Sequence, residues 1–510
     1  MEETKQSAGT GDAVVDGRRA YQGYLALAIL MIIIFAVRMS VVEQTPYLRS
    51  DSYLAVRSVE HIQETGAPLR DDPLSVTGHA RIGNPVHEYG LALLTAMTPV
   101  AYKVLPNLIM ALLLIPVYLI TRRLSGSSFV AFIAALLTGT GPVLFARSMN
   151  SVSPVPLALL LILIIIALLH DIERHIFPLI FCAIALAFTH PLIFVLSLSL
   201  LIMMLLLRVE GYGVDDRLGE LFFFTLLLSL WFYVLVFKNA LFEFGIGTLW
   251  RNVPGAYLAS VFGDISLLSM LYGLGIITFL FGTFGMYHAL FERPHREAYV
   301  VMGPVFAIAV LIVLRLIPID LGITVITPFL AIMAAYGLMV SVHYIRRTKA
   351  AWSIYPLAAM LAVFFTFSAL LPALSNANGE LARAPSSDQV ASYERLRDLT
   401  DQHAVVLTTM EEAAAVQYFS GRTTLTDDDL LPVHNSAAVM RDIDAVYTAR
   451  FALSVAGKSG EMGFTHILFS EDAARRYGRD RLLIDDAACI EVSDLHRGSL
   501  LYAIRCEEAS

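Results

Sequence analysis

The run Tyr21-Gln22-Gly23-Tyr24-Leu25-Ala26-Leu27-Ala28-Ile29-Leu30-Met31-Ile32-Ile33-Ile34-Phe35-Ala36-Val37-Arg38-Met39-Ser40-Val41-Val42 decides the fold class. It carries one charge, Arg38, near its far end. At about 1.5 Å of rise per residue, roughly 20 apolar residues cross the hydrocarbon of a bilayer. The run is therefore read as a membrane-spanning helix. Ten further apolar segments follow, giving about eleven spans: 21–42, 104–121, 128–146, 154–170, 176–190, 191–208, 220–237, 265–290, 298–315, 322–344 and 352–373. The composition agrees, with 57% apolar and 16% charged residues in a chain of 510. Ordinary soluble domains carry about one quarter charged residues. Unbroken apolar runs exclude a β-barrel, whose strands alternate. The net charge of −8 points to no nucleic-acid partner.

Residues 1–20 are polar and end in Arg18 and Arg19, and no small-residue cleavage site follows the first span. The run is thus read as an uncleaved anchor. Orientation follows the basic residues. With residues 1–20 cytosolic, every inner connection is basic: Arg122 and Arg123, Arg174, Arg208 and Arg217, Arg293 and Arg296, then Arg346, Arg347 and Lys349. The outer connections at 190 and 316–321 carry no Lys or Arg. An odd number of spans then places residues 374–510 outside the cytoplasm, at the cell membrane.

Three regions are expected: the tail 1–20, a transmembrane region 21–373 with an outer loop 43–103, and an extracytoplasmic α/β domain 374–510. Ser375–Ser387 reads as a linker. Beyond it, short β-rich runs (Val405–Thr409, Arg422–Leu425, His466–Ser470, Leu500–Cys506) alternate with helical patterns (Asp388–Leu399, Glu411–Phe419, Ala437–Ala449, Glu471–Tyr477). Cys489 and Cys506 flank a strand pair and are candidates for a disulfide, whereas Cys182 fills a span.

The outer loop 43–103 holds the candidate chemistry. Its stretch from Ser50 to Gly66 predicts an amphipathic helix at the membrane surface, with Val56, Val59 and Ile62 on one face. Ser50 or Asp51 suits the N-cap and Gly66 the stop. Asp51 reads as a cap, or as a carboxylate at the mouth of a membrane cavity, serving as general base or metal ligand. Arg57 reads as a solvated charge, a partner of Glu60, or a phosphate contact. A second helix is expected near 87–101, where Glu88 suits the first turn. Arg38 reads as a snorkelling charge. Thr189-His190-Pro191 reads as a helix break or a cavity-lining histidine. Arg315 stands at a span end, with Asp320 five residues on. The loop 238–263, with Trp250 and Arg251, is long enough to cover a substrate. Asp427-Asp428-Asp429 lacks calcium-loop spacing and reads as a capping turn.

Asp51-x-Tyr53-x-x-x-Arg57, a helix ending in Thr65-Gly66, then Asp72-Pro73 and Gly78, resemble the first outer loop of the catalytic subunit of oligosaccharyltransferase. The archaeal single-subunit forms are most similar, and these belong to the GT-C glycosyltransferase superfamily. Arg122-Arg123-Leu124-Ser125-Gly126, Ala134-Ala135, Pro142 and Arg147-Ser148 look like the family's third span and second outer loop. Leu314-Arg315-Leu316-Ile317-Pro318 with Pro328 looks like the stretch that bears a lipid-phosphate or acceptor arginine. Val406-Leu407-Thr408-Thr409 with Tyr418-Phe419-Ser420-Gly421-Arg422 resembles the frame around the family's Trp-Trp-Asp-Tyr-Gly motif.

The resemblance implies a membrane glycosyltransferase that moves a sugar from a polyprenyl (dolichyl) phosphate- or pyrophosphate-linked donor to a glycan, lipid or protein acceptor at the extracytoplasmic face. Asp51 would be the catalytic acid/base. Tyr53, Arg57, Arg147, His190 and Arg315 would bind substrate. Two departures stand out. The metal-dependent relatives carry an acidic pair after the Arg147-Ser148 position, but this chain reads Met149-Asn150-Ser151-Val152-Ser153. A divalent cation (Mg or Mn) would have only Asp51, Asp71 and Asp72, a poor set of hard ligands. The Trp-Trp-Asp-Tyr-Gly box is also missing, replaced by Thr409-Met410-Glu411-Glu412-Ala413, which argues against sequon recognition. A non-catalytic scaffold and a lipid-linked sugar flippase are the alternatives. A flippase would call for mid-span charges and paired broken helices, which the sequence lacks.

Overall fold

Apolar runs this long fold as helices because the hydrocarbon offers the backbone no partner but itself. The computed structural model describes residues 6–76, 81, 83–244, 267–292, 295–349, 351–427, 436–484 and 489–505. Seven described helices are long and apolar enough to cross a membrane: Tyr21–Val42, Ala101–Ser125, Leu192–Val209, Asp216–Leu235, Arg296–Val313, Ile319–Arg346 and Ile354–Leu381. Shorter apolar helices, Ser128–Gly139, Val155–Asp171, Ile176–Ala187 and Ile276–Glu292, occupy the other predicted segments. The protein is thus a polytopic α-helical membrane protein with a small α/β domain at its C-terminal end. The loop 238–263 lies largely outside the described residues.

Helix Ile319–Arg346 forms the centre of the bundle, with Phe329, Ala331, Ile332, Met333 and Ala334 completely buried. Its closest neighbour is Ile276–Tyr287. A Cβ at Gly337 would lie 2.3 Å from the Phe281 carbonyl oxygen, and one at Gly285 2.1 Å from that of Met333. The two backbones touch there, as small residues allow between membrane helices.

The C-terminal domain holds one five-stranded sheet, β1 (Val405–Leu407), β2 (Thr423–Thr424), β3 (His466–Phe469), β4 (Ile490–His496) and β5 (Ser499–Ile504), in the order β2-β1-β3-β5-β4. β1 runs parallel to β2 and β3, and the β4–β5 hairpin adds antiparallel to β3. Helices Ser387–Leu399, Met410–Ser420, Ser436–Thr448 and Glu471–Tyr477 match the predicted ones. Helix Ala452–Met462 and strand β4 add to the predicted elements. Cys489 is disulfide-bonded, and Cys506 lies outside the described residues. Cys182 is a free thiol.

Three expectations need correction. The presumed linker Ser375–Ser387 is mostly helix, since Leu371–Leu381 continues the last span. Its Ala373 and Ala377 are buried, so tertiary packing overrides the Asn and Gly content. Arg38 does not snorkel. It is 1% exposed and donates to Asn107 Oδ1 at 2.8 Å, to the Phe145 carbonyl and to the Arg147 carbonyl at 3.1 Å. Helix Ser52–Thr65 buries its apolar face against protein rather than offering it to lipid. Val56, Val59 and Ile62 share one core with Leu91, Leu396, Val406 and Leu468.

Glu412 gives the C-terminal domain a pH dependence. Its Oε1 accepts from the Thr409 amide and hydroxyl at 3.2 and 2.9 Å, closing a capping box, and its Oε2 accepts from Tyr393 at 3.1 Å. Complete burial, helped by the charge of Asp472, pushes the Glu412 carboxyl up to about 7. An acid raised in the folded state contributes stability that is whole below its unfolded value and lost as pH rises through the folded one. Stability should therefore fall by on the order of 3 kcal/mol between about pH 4.5 and 7. Hydrogen-exchange protection in helix Met410–Ser420 of the intact protein, taken relative to the intrinsic rate at each pH, should fall over that interval. Glu412→Gln should flatten the dependence.

Candidate active site

The site forms where four connections meet at one end of the bundle. Asp51 opens helix Ser52–Thr65, in a helical conformation and without a side-chain cap bond. The capping expectation therefore fails, because Arg49 claims the carboxylate. Arg49 Nε donates to Asp51 Oδ1 at 2.7 Å, and Nη2 of the same guanidinium pairs with Oδ2. Its third nitrogen, Nη1, reaches Glu380 Oε2 at 2.6 Å. Such a fork-to-carboxylate pair is short, directional and charge-assisted. Burial opposes the Arg49 charge, but the bonds and charges of Asp51 and Glu380 outweigh it and raise its pKa.

The loop that follows Arg147 is stitched to this corner through its backbone. The Arg49 amide donates to the Asn150 carbonyl at 2.9 Å, Asn150 Nδ2 to the Tyr47 carbonyl at 2.9 Å, and the Val152 amide to Ser52 Oγ at 3.1 Å. Arg147 is half-buried and stands within electrostatic reach of Arg49, Asp320, Glu380 and Asp51. Its guanidinium makes no hydrogen bond or ion pair among the described residues. The buried Arg38 holds its carbonyl. His190, in the break between Ile176–Ala187 and Leu192–Val209, is pushed down to about 4 by burial, with the Arg147 charge adding to the effect.

Backbone strain gathers here too. Ser148 and Arg315 both have φ 54°, and among the described residues only Arg497 is another positive-φ non-glycine. Such conformations are sparsely populated and cluster at functional sites. Arg315 is exposed in the turn just before Asp320.

Of the expected site residues, Arg147 lies within electrostatic reach of Asp51, and His190 within reach of Arg147. Arg49 and Glu380 were missed. Arg49 lay two residues from Asp51, and a charge so close was a readable signal. Glu380 sat in the presumed linker and gave none.

Two expected substrate ligands are engaged elsewhere. Tyr53 is buried, its hydroxyl accepting from the Leu48 amide at 3.2 Å and its ring against Tyr418 and Phe419 at 4.9 and 4.8 Å. Arg57 pairs with Asp72 and donates to Gln417 Oε1. Glu88 is buried and accepts from the Asn84 amide at 3.0 Å, and burial raises its carboxyl.

A divalent cation does not fit the expected ligands. Both oxygens of Asp72 are held by Arg57 and Arg81, both oxygens of Asp51 by Arg49, and Asp71 is exposed. Asp427 is no capping residue but a buried partner of Arg81 at 2.6 Å. Asp428 and Asp429 lie outside the described residues.

An apolar helix bundle with its first loop folded under a C-terminal α/β domain makes a GT-C-like fold. Three solved structures share it. The Archaeoglobus fulgidus oligosaccharyltransferase in the apo form matches with a TM-score of 0.66 at 13% identity, over 91% of this chain and 72% of that one. The archaeal oligosaccharyltransferase AglB from Archaeoglobus fulgidus, in complex with an inhibitory peptide and a dolichol-phosphate, gives 0.60 at 13%, over 86% and 69%. ArnT from Cupriavidus metallidurans, bound to undecaprenyl phosphate, gives 0.53 at 10%, over 94% and 97%. No protein-family model and no curated protein matches the chain by sequence.

Proposed function

We propose that this chain is a membrane glycosyltransferase that takes a sugar from a polyprenyl phosphate- or pyrophosphate-linked donor and passes it to an acceptor at the extracytoplasmic face. The observation that carries the reading is the approach of the Asp51 carboxylate and the unpaired Arg147 guanidinium at one end of an apolar bundle. Each carboxylate oxygen has two lone-pair sites. Arg49 occupies one on each oxygen of Asp51, so an acceptor hydroxyl still finds a proton acceptor there. Arg147 supplies positive charge and donors for the phosphate leaving group, and His190, held neutral by burial, can add an N–H donor. Proton removal by Asp51 and a single displacement would invert the anomeric carbon. The lipid phosphates in the AglB and ArnT structures support this donor class. The altered Thr409–Ala413 stretch favours an acceptor other than a peptide sequon. Its Thr409 and Glu412 are spent on the capping box. The basic connections 122–123, 174 and 346–349 would face the cytosol.

The purified protein in lipid vesicles, given a radiolabelled polyprenyl phosphate sugar and candidate acceptors, should release free polyprenyl phosphate. Binding without turnover would point to a scaffold, and movement of intact donor between leaflets to a flippase. Either result overturns the enzyme reading.

A further inference from the structure

Two carboxylates that meet at one corner offer hard oxygen ligands of the kind a divalent cation takes. The corner that joins Asp51 and Glu380 is filled otherwise. Arg49 spans two carboxylates from opposite ends of the sequence, Asp51 through two nitrogens and Glu380 through the third. The remaining Glu380 oxygen, Oε1, lies 3.1 Å from Arg383. All four carboxylate oxygens of the pair therefore already face a guanidinium. The loop that follows Arg147 contributes a backbone carbonyl, that of Asn150, which holds the Arg49 amide at 2.9 Å.

From this we infer that Arg49 is a built-in replacement for the divalent cation, a positioning residue that orients Asp51 and balances its charge, so that this site works without a metal. The inference rests on the glycosyltransferase reading for its catalytic meaning, but its physical content is independent of turnover. Mg²⁺ or Mn²⁺ requires several oxygen ligands at about 2.0–2.6 Å. A guanidinium between the same oxygens occupies that space and supplies charge at a fixed angle. Removing it would leave Glu380 with Arg383 alone and would free oxygens of two neighbouring carboxylates for a cation.

Manganese binding to the purified full-length protein, read by electron paramagnetic resonance, separates the alternatives. Wild type should bind Mn²⁺ at this corner at least tenfold more weakly than Arg49→Ala. Adding Glu380→Gln to Arg49→Ala should abolish the gain. Arg49→Lys, which keeps the charge, should still exclude the ion. Where transfer is measured, chelation by EDTA should change wild-type activity less than twofold. Arg49→Ala should lose about 10²-fold, the scale of one preorganised electrostatic contact, and recover partly with Mn²⁺. Tight Mn²⁺ binding by wild type that Asp51→Asn removes would overturn the inference, as would EDTA-sensitive transfer. Because the manganese measurement needs no substrate, it decides the point even if the glycosyltransferase reading itself fails.

Discussion

Asp51→Asn is expected to lower transfer from a lipid-linked sugar by about 10²–10⁴-fold, the usual contribution of a positioned general base. The substitution keeps the shape of the side chain. It also keeps an oxygen for Arg49 Nε, now 2.7 Å away, and leaves the 2.6 Å bond from Arg49 to Glu380 untouched. What it removes is the proton acceptor, together with the second arm of the Arg49 pair, where the amide NH2 would face the donor Nη2. Asp51 is half-exposed, so its loss leaves no buried orphan, and the melting temperature should move by only a few degrees. Single-turnover measurements with a radiolabelled donor separate this from a binding defect, because kcat should fall while donor affinity holds. Transfer within twofold of wild type would remove Asp51 from the chemistry. A similar fall in Arg147→Ala, expressed instead as weaker donor binding, would place the phosphate at Arg147.

Asp72→Asn is expected to loosen the junction between the first outer loop and the C-terminal domain by about 3–5 kcal/mol, the cost of breaking a buried ion pair from one side. Its side chain is completely buried between Arg57 and Arg81, and Arg81 continues to Asp427 at 2.6 Å. Gln417 adds bonds to the Leu74 carbonyl at 3.0 Å and Thr424 Oγ1 at 2.7 Å. This chain of charges pins the segment around Ser75 alongside β2. There the Val76 amide donates to Thr424 at 3.1 Å and the Thr424 amide to Leu74 at 2.9 Å. Hydrogen exchange at those amides should accelerate by about 10²-fold or more, since each 1.4 kcal/mol is a factor of ten. Burial works against the Asp72 charge, but Arg57 and Arg81 outweigh it and hold the carboxyl below its ordinary value. A carboxylate lowered in this way contributes stability that is whole above the ordinary value of 3.8 and lost as pH falls through the folded one. Wild type should therefore loosen here in acid, and Asp72→Asn should lack that step. Unchanged exchange in the variant would show that the apolar core shared by Val56, Val59 and Leu468 holds the junction alone.

The two arginines near Asp51 show how much was legible. Arg57 lies in the motif-like spacing and attracted the phosphate role, while Arg49 attracted none. The fold reverses them. Six residues along a helix turn a side chain well away from its first turn, and Arg57 falls on the face that packs under the C-terminal domain. Tyr53 goes the same way, into the rings of Tyr418 and Phe419. Helix Ser52–Thr65 itself, with its Gly66 stop in the left-handed conformation, was readable because period and glycine chemistry are local.

The sequence by itself determined the helical membrane body, the α/β character of the C-terminal domain and the confinement of charge to the ends of spans. Hydropathy and periodicity act over one element at a time, so no partner need be known to read them. Only the tertiary structure decided which charge meets which. Glu380 stands 331 residues from Arg49, and Gln417 stands 360 from Arg57. Ion pairs over such distances depend on how helices pack and where a loop crosses a sheet edge, and no local pattern records them.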